Sequence, residues 1–431
     1  MNKIISLVIL LLCFAVHAQS PGTKKPESHF AEGLKAGQDG QFDQAGEYFR
    51  QTVAYRKTLQ GMMLQRNDPG TLSLFTVVDQ LEMAAKAALC LNILEDIKSK
   101  KIKKKEGKAF FKSLHLSDQS QFDAALKEGD KAFRKYGENP RVLLARGQIY
   151  LAQTEANAAL ADFRSALEID PALGLAHYYL GRAYELKELP EMAFDAYNAS
   201  LASDQQLAEA RIRRAPLAVL AGKFETAVDD YDRLLPWLPH GMGFYNRGFA
   251  YLSKGDYESA IADLTIALEM ASELDLGKPL EAYYNRGGAY YQTGQYELAV
   301  DDFYEVTERD STFAEAFYSR GLAYAELQLY DEALFDFTHA LTLGADSAKC
   351  YFQRGRTYHK KRKYSVAISD YQEAIARDSG NTIAYYYKAF ALDEASRHRQ
   401  ARAAYRAYLD IAPEDQSEFI NYAKRRVRSL R

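Results

Sequence analysis

Cysteine, tryptophan and charge imbalance are what this chain has little of. Of 431 residues three are Cys and one is Trp, and 55 Lys and Arg against 58 Asp and Glu leave a formal net charge of −3. That balance excludes a chain-wide electrostatic pull toward nucleic acid or an anionic membrane. Beyond the first residues only Cys90 and Cys350 remain, in different parts of the chain. A disulfide framework is therefore excluded, stability has to come from packing, and both thiols read as buried apolar-type residues. Long apolar runs are missing as well, apart from one at the start. No other stretch approaches the roughly 20 residues needed to cross a bilayer.

That one run, MNKIISLVILLLCFAVHAQS, reads as a secretory signal peptide over residues 1–18. Lys3 supplies the positive start, Ile4–Val16 the apolar stretch, and Val16-His17-Ala18 the small-residue cleavage site, giving a mature start near Gln19. Two alternatives stand beside it. A membrane anchor would be short, with an apolar stretch of thirteen residues. A lipoprotein acylated at Cys13 would need a small residue where Leu12 stands. The expected location is outside the cytoplasm, periplasmic or extracellular, with no transmembrane segment after cleavage.

Signatures of catalysis are also missing. His29, His115, His177, His240, His339, His359 and His398 are scattered, with no i,i+4 pair and no Cys at metal-ligand spacing. No Gly-rich phosphate loop follows a strand, and there is no nucleophile elbow. No catalytic residue, cofactor or metal site is assigned, and an enzyme is not expected.

What is plentiful is Tyr, 31 of them, the bias that a repeated motif with a fixed aromatic slot leaves. Self-similarity is immediate once the lines are aligned on a Gly. RVLLARGQIYL from Arg141, LAHYYLGRAYEL from Leu175 and GFYNRGFAYLSKGDYESAI from Gly243 stack on one another. So do EAYYNRGGAYYQTGQYELAV from Glu281, EAFYSRGLAYAELQLYDEAL from Glu315 and KCYFQRGRTYHKKRKYSVAI from Lys349. The step is 34 residues, from Gly147 to Gly181, Gly287 to Gly321 and Gly321 to Gly355. It lengthens to 39 between Gly248 and Gly287, where SELDLGKP near 272–279 reads as a longer loop.

Within a line the pattern is helical. Tyr283, Gly287 and Tyr290 share one face, and after the turn at Gly294-Gln295 a second stripe runs through Tyr296, Ala299, Phe303 and Val306. Gly recurs on the first helix, and Ala on the second at Ala193, Ala227, Ala260, Ala299, Ala333 and Ala367, so these small residues mark the contact between the two helices. Pro171, Pro239 and Pro413 follow second helices as stops.

These lines resemble the tetratricopeptide repeat family. The resemblance covers 140–415 as eight consecutive units starting near 140, 174, 208, 241, 280, 314, 348 and 382. Divergent units occupy 106–139, with Ser113 where Gly is expected, and 26–59, with a linker over 19–25 before it. Residues 60–105 form a helical insertion, with one long helix over about 72–98 and a Lys-rich end, KSKKIKKKEGK. The Lys run reads as a solvated helix end and linker, because no aromatic residues interleave with it as single-strand binding would require. Ala215-Pro216 predicts a kink in the first helix of the 208 unit. Residues 416–431 read as a capping helix, its basic end AKRRVRSLR placed favourably for the helix dipole. Docking of an acidic partner on that end is the alternative.

The implied fold is all-α, a right-handed superhelix (α-solenoid) of stacked antiparallel helix pairs. In such an array six lines carry an Arg with an Asp sixteen residues later: Arg146/Asp162, Arg214/Asp230, Arg247/Asp263, Arg286/Asp302, Arg320/Asp336 and Arg354/Asp370. The line with Leu180 in the first slot has Ala196 in the second. The turn lies midway, so the two slots meet at one height on facing helices, and the pairs are expected to be structural.

In this family first helices line a concave surface. The slots expected to face it are Tyr245, Tyr284, Tyr318, Phe352 and Tyr386, with Phe249 and Arg356 four residues further along their helices. An aromatic groove suits an extended peptide or a helix. The expected function is a non-enzymatic scaffold for protein partners in the cell envelope, with no cofactor and no nucleic acid. The alternative is a carbohydrate- or peptidoglycan-binding module using the same Tyr-rich groove. The two-carboxylate clamp that some relatives build from Lys and Asn is not carried over, although Asn246 and Asn285 occupy comparable slots.

Overall fold

The computed structural model describes residues 26–65, 74–270 and 278–430. The signal-peptide reading lies outside these residues, and so does most of the 272–279 loop, whose Lys278 and Pro279 already open a helix. All regular structure among the described residues is helical, arranged as an α-solenoid of paired antiparallel helices. The chain divides into two compact units, one reaching to Ala250 and the other running from Tyr251 to Arg431.

The first unit holds α1 (Pro26–Asp39), α2 (Phe42–Gln65), α3 (Leu74–Lys98), α4 (Lys104–Asp118), α5 (Phe122–Lys135), α6 (Pro140–Ala152), α7 (Ala156–Ile169), α8 (Gly174–Leu186), α9 (Pro190–Ser203), α10 (Ala208–Leu220) and α11 (Phe224–Leu234). Helix α12 (Gly241–Lys254) spans the division. The second unit continues with α13 (Tyr257–Glu269), α14 (Lys278–Gln292), α15 (Tyr296–Arg309), α16 (Ala314–Glu326), α17 (Tyr330–Thr342), α18 (Ser347–Lys360), α19 (Tyr364–Arg377), α20 (Thr382–Glu394), α21 (His398–Leu409) and α22 (Ser417–Ser429).

Each hairpin turn is closed by one residue in the left-handed region, after which the next N–H bonds back to a carbonyl five residues earlier. At Gly294 (φ 77°) the Gln295 N–H donates to Tyr290 O at 2.8 Å, and at Arg362 (φ 58°) the Lys363 N–H donates to Tyr358 O at 2.9 Å. Glycine adopts this conformation without steric cost and arginine does not.

Inside the hairpin the small residues are used differently from the simple Gly-on-Ala expectation. A Cβ added at Gly147 would meet the Phe163 ring at 2.4 Å, one at Gly181 the Tyr197 ring at 2.6 Å, and one at Gly321 the Phe337 ring at 2.9 Å. These first-helix glycines therefore make room for the aromatic residue sixteen positions later, and the fully buried Ala193, Ala227 and Ala299 fill other core positions.

Two further differences concern the first unit. Helix α2 runs on to Gln65, past the expected unit end at 59. The Lys-rich stretch is shared between the end of α3 and the start of α4, and Lys98 lies 3.1 Å from Asp43. Across the insertion α1 packs directly on α4, so the stack of hairpins is continuous there.

Candidate partner-binding site

Two things decide what a repeat array can bind: the frame that holds its helices, and the side chains left over on the first-helix face. The frame comes from the Arg and Asp slots. Arg146 grips Asp162 with Nε–Oδ2 at 2.7 Å and Nη2–Oδ1 at 2.6 Å. The same two-pronged geometry joins Arg214 to Asp230, Arg286 to Asp302, Arg320 to Asp336 and Arg354 to Asp370, with every bond between 2.7 and 2.8 Å. Arg247 binds Asp232 at 2.7 Å, and Asp263 is buried. Burial pushes the Asp302 and Asp336 carboxyls up, against the pull of their arginines.

Sequence spacing did not show that the same arginines also tie neighbouring hairpins together. The third nitrogen, Nη1, donates to a polar residue of the preceding second helix: Asn198 from Arg214 at 2.7 Å, Thr265 from Arg286 at 3.1 Å, Thr307 from Arg320 at 2.7 Å and Thr338 from Arg354 at 3.2 Å. A planar guanidinium with a fixed fork of donors can serve two neighbours at once. The signal for this was a hydroxyl or amide on the preceding second helix, at a spacing that varies too much to stand out.

The aromatic slots separate into two groups. In the second unit Tyr284, Tyr318 and Phe352 are half-buried. Each leans on the aromatic of its own second helix: Tyr284 on Phe303 at 5.7 Å, Tyr318 on Phe337 at 5.8 Å and Phe352 on Tyr371 at 6.0 Å. Burial raises the Tyr318 hydroxyl to about 12, so it stays protonated at neutral pH. Arg356 lies over the rings of Phe352 and Tyr387 at 5.9 and 5.7 Å.

The other slots are not open. Tyr386 is only 7% exposed, because α22 closes over it with Phe419 at 4.6 Å and Tyr422 at 6.2 Å. Arg426 of the same helix grips Asp393 with two bonds of 2.6 Å, so this part of the basic C-terminal segment is paired rather than solvated. Tyr245 is 6% exposed and belongs to the core, and Phe249 is half-buried beside Phe224 at 6.3 Å. Tyr245 and Tyr386 therefore drop out as contact residues.

In the first unit the corresponding face is occupied by the chain itself. Helix α3 packs along α2 and also lies against α1, α6 and α10, all of them first helices. Val77 and Leu81 are fully buried and cluster with Ala208, Ile212 and Leu238. Beside this apolar stripe Glu82 Oε1 accepts from the Tyr178 hydroxyl at 2.8 Å, from Arg213 Nη2 at 3.0 Å and from Arg182 Nη1. Burial opposes ionisation of Glu82, but the Arg182 and Arg213 charges outweigh it and hold the carboxyl well below its ordinary range. At the far end Asp96 accepts from Arg141 Nη1 at 2.8 Å and from Asn139 Nδ2 at 3.2 Å.

A family model for the tetratricopeptide repeat matches residues 112–174, 245–313 and 352–416, and a second model of the same description matches 314–345, together more than half of the chain. The chain belongs to the tetratricopeptide repeat family. Repeat arrays of this family are generally scaffolds that bind other proteins. No curated protein matches this tetratricopeptide repeat chain. Among solved structures it is similar to a tetratricopeptide repeat protein from Parabacteroides merdae ATCC 43184, with 19% identity, 59% of this chain and 98% of that one covered, and a TM-score of 0.36. It is also similar to the APC/C hetero-tetramer Cut9–Hcn1, with 17% identity, 91% and 81% covered and a TM-score of 0.41. A third is YrrB, described as a TPR protein with an unusual peptide-binding site, with 22% identity, 51% and 94% covered and a TM-score of 0.26.

A tetratricopeptide array also has second-helix surface, and here it carries an open cleft of about 390 Å³ lined by Asp331, Leu334, Phe335, His339, Tyr358 and Lys363 among others. Phe335 is 65% exposed and stacks on His339 at 6.0 Å. Among the described residues no helix is long and apolar enough to cross a membrane, and no group of His, Cys, Asp and Glu is placed to hold a metal ion. Cys90 and Cys350 are both free and buried.

Proposed function

We propose that this protein is a non-enzymatic scaffold of the cell envelope, exported by its N-terminal segment, that holds a partner protein by an extended peptide or a helix laid on the first-helix face of its second unit. The observation that carries the reading is the seating of α3 in the first unit, where aromatic and arginine side chains of first helices receive a helix. In the second unit Tyr284, Tyr318, Phe352 and Arg356 occupy the equivalent slots and remain half-buried. Tyr and Phe supply large contact area at low entropic cost, and an arginine among them supplies direction. The signal-like residues 1–18 support the envelope location. Assignment of most of the chain to repeats supports a role without chemistry of its own.

The test is a photo-crosslinking side chain placed at Tyr284 of the full chain, expressed in cells and followed by fractionation. The expected result is a discrete protein adduct in the envelope fraction, lost when Tyr318 and Phe352 are both changed to Ala in a variant that melts as the parent does. Adducts of glycan or peptidoglycan fragments would replace the scaffold with a sugar-binding module. Recovery of the whole protein in the cytoplasmic fraction would overturn the envelope location.

A further inference from the structure

The first unit displays, in one chain, both a first-helix receptor and the ligand it holds. The ligand is a helix with an apolar stripe, Val77 and Leu81, and a carboxylate, Glu82, that is bonded to the receptor, with the exposed Asp79 nearby. The receptor is an aromatic ring, Tyr178, followed four residues later by Arg182, which stands directly after the repeat Gly181. The second unit repeats the aromatic–Gly–Arg slots once, with a Phe that lacks the Tyr178 hydroxyl and with Tyr387 in the place of Arg213. Phe352 takes the slot of Tyr178, Gly355 that of Gly181, and Arg356 that of Arg182.

The difference lies in what faces the arginine. Arg182 has Glu82. Arg356 is half-buried, donates to Gln353 Oε1 of its own helix at 3.0 Å and to no other described residue, and is otherwise stacked on Phe352 and Tyr387. No described carboxylate lies within ion-pair distance of it. A partly desolvated guanidinium is costly without an anion, and aromatic faces offset only part of that cost. An arriving carboxylate would complete its donors in a site already shielded from water.

On the scaffold reading above, we propose that Phe352, Arg356 and Tyr387 form the receptor for a partner helix that presents a glutamate or aspartate beside an apolar stripe, the arrangement that α3 presents to the first unit. The aromatic rings take the apolar stripe, and the Arg356 guanidinium takes the carboxylate. Ligands without an acid at that position lose the polar anchor, so the face discriminates among helices by one side chain.

A fluorescent peptide with the sequence of residues 74–98, carrying a photoreactive group, tests this on the full-length protein. The expected result is saturable binding, with adducts on α18 and α20. Affinity should fall about tenfold or more when the peptide carries Glu82→Gln, or when the protein carries Arg356→Gln. Combining the two changes should cost no more than either alone, and Arg356→Lys should recover part of the loss. The peptide substitution leaves the protein untouched, so misfolding cannot mimic the effect. Equal affinity for both peptides would overturn the proposal. So would adducts confined to α8 and α10, which would mean exchange with the protein's own α3, and so would absence of saturable binding. In each of these cases the broader scaffold reading is judged separately, by the Tyr284 adduct.

Discussion

Arg286 and Asp302 face each other across one hairpin through two parallel hydrogen bonds of 2.8 and 2.7 Å, both side chains largely withdrawn from water. Arg286 is also sandwiched between the rings of Tyr283 and Tyr290, each 5.7 Å away. Removing only the carboxylate leaves a buried cation, so Asp302→Ala should cost about 3–5 kcal/mol of stability. Changing both residues, Arg286→Leu with Asp302→Ala, should cost less than the single change. Urea unfolding of the two variants checks this, and equal losses would contradict a pair that acts as a unit.

Neighbouring glycines in the same helix should respond oppositely. A methyl group at Gly287 would come within 2.9 Å of Phe303 and 3.2 Å of the Asp302 Cβ, whereas nothing lies within 4 Å of one at Gly288. Gly287→Ala should therefore lower stability by about 1–3 kcal/mol through overpacking. Gly288→Ala should raise it by about 0.5–1 kcal/mol, because Ala loses less backbone freedom in a helix. Thermal melts of the two variants should move in opposite directions.

Glu82 gives a pH signature. Its folded carboxyl is held below the ordinary value of 4.5, so its contribution is fully present above that pH and fades as the pH falls below it. Glu82→Gln should cost about 2–3 kcal/mol near neutral pH. The gap between the variant and the parent should narrow once the pH drops under 4.5. Protease sensitivity of α3, compared for both proteins across this range, reads the effect directly. A gap that stays constant would mean that Glu82 does not seat α3 as a carboxylate.

The last helix should behave as a lid on the core. Without residues 417–431 the rings of Tyr386 and Tyr405 lose Phe419 and Tyr422, and Asp393 loses Arg426. Truncation there should increase binding of an apolar dye and lower the melting temperature of the second unit, since terminal repeats need a polar outer face. Arg426→Ala alone should give a smaller loss, about 1–2 kcal/mol, because its side chain is one-third exposed.

Much of this is legible in the sequence. The recurrence of Arg-Gly and Asp-aromatic pairs at one spacing placed both slots at the same height, because a hairpin with its turn midway has no other register. What Gly287 faces was less legible: the spacing of Gly and of Ala suggested small against small, and the helices instead interlock with Gly beneath a ring. The fate of Tyr245 and Tyr386 was not legible at all. A first-helix aromatic has the same sequence context whether solvent or another helix lies above it, and α22 is what covers Tyr386.

By itself, the sequence determined the repeat, the hairpin register and the family, since each of these depends on residues within one or two turns of the pattern. Tertiary structure alone decided where α3 goes. The pairing of Glu82 with Arg182 and Arg213 joins residues about a hundred or more positions apart, which no local spacing encodes. It decided in the same way that Arg182 meets Glu82 of a distant helix while Arg356 donates to Gln353 of its own. Part of that contrast is local, since Glu185 stands three residues after Arg182 and His359 three after Arg356.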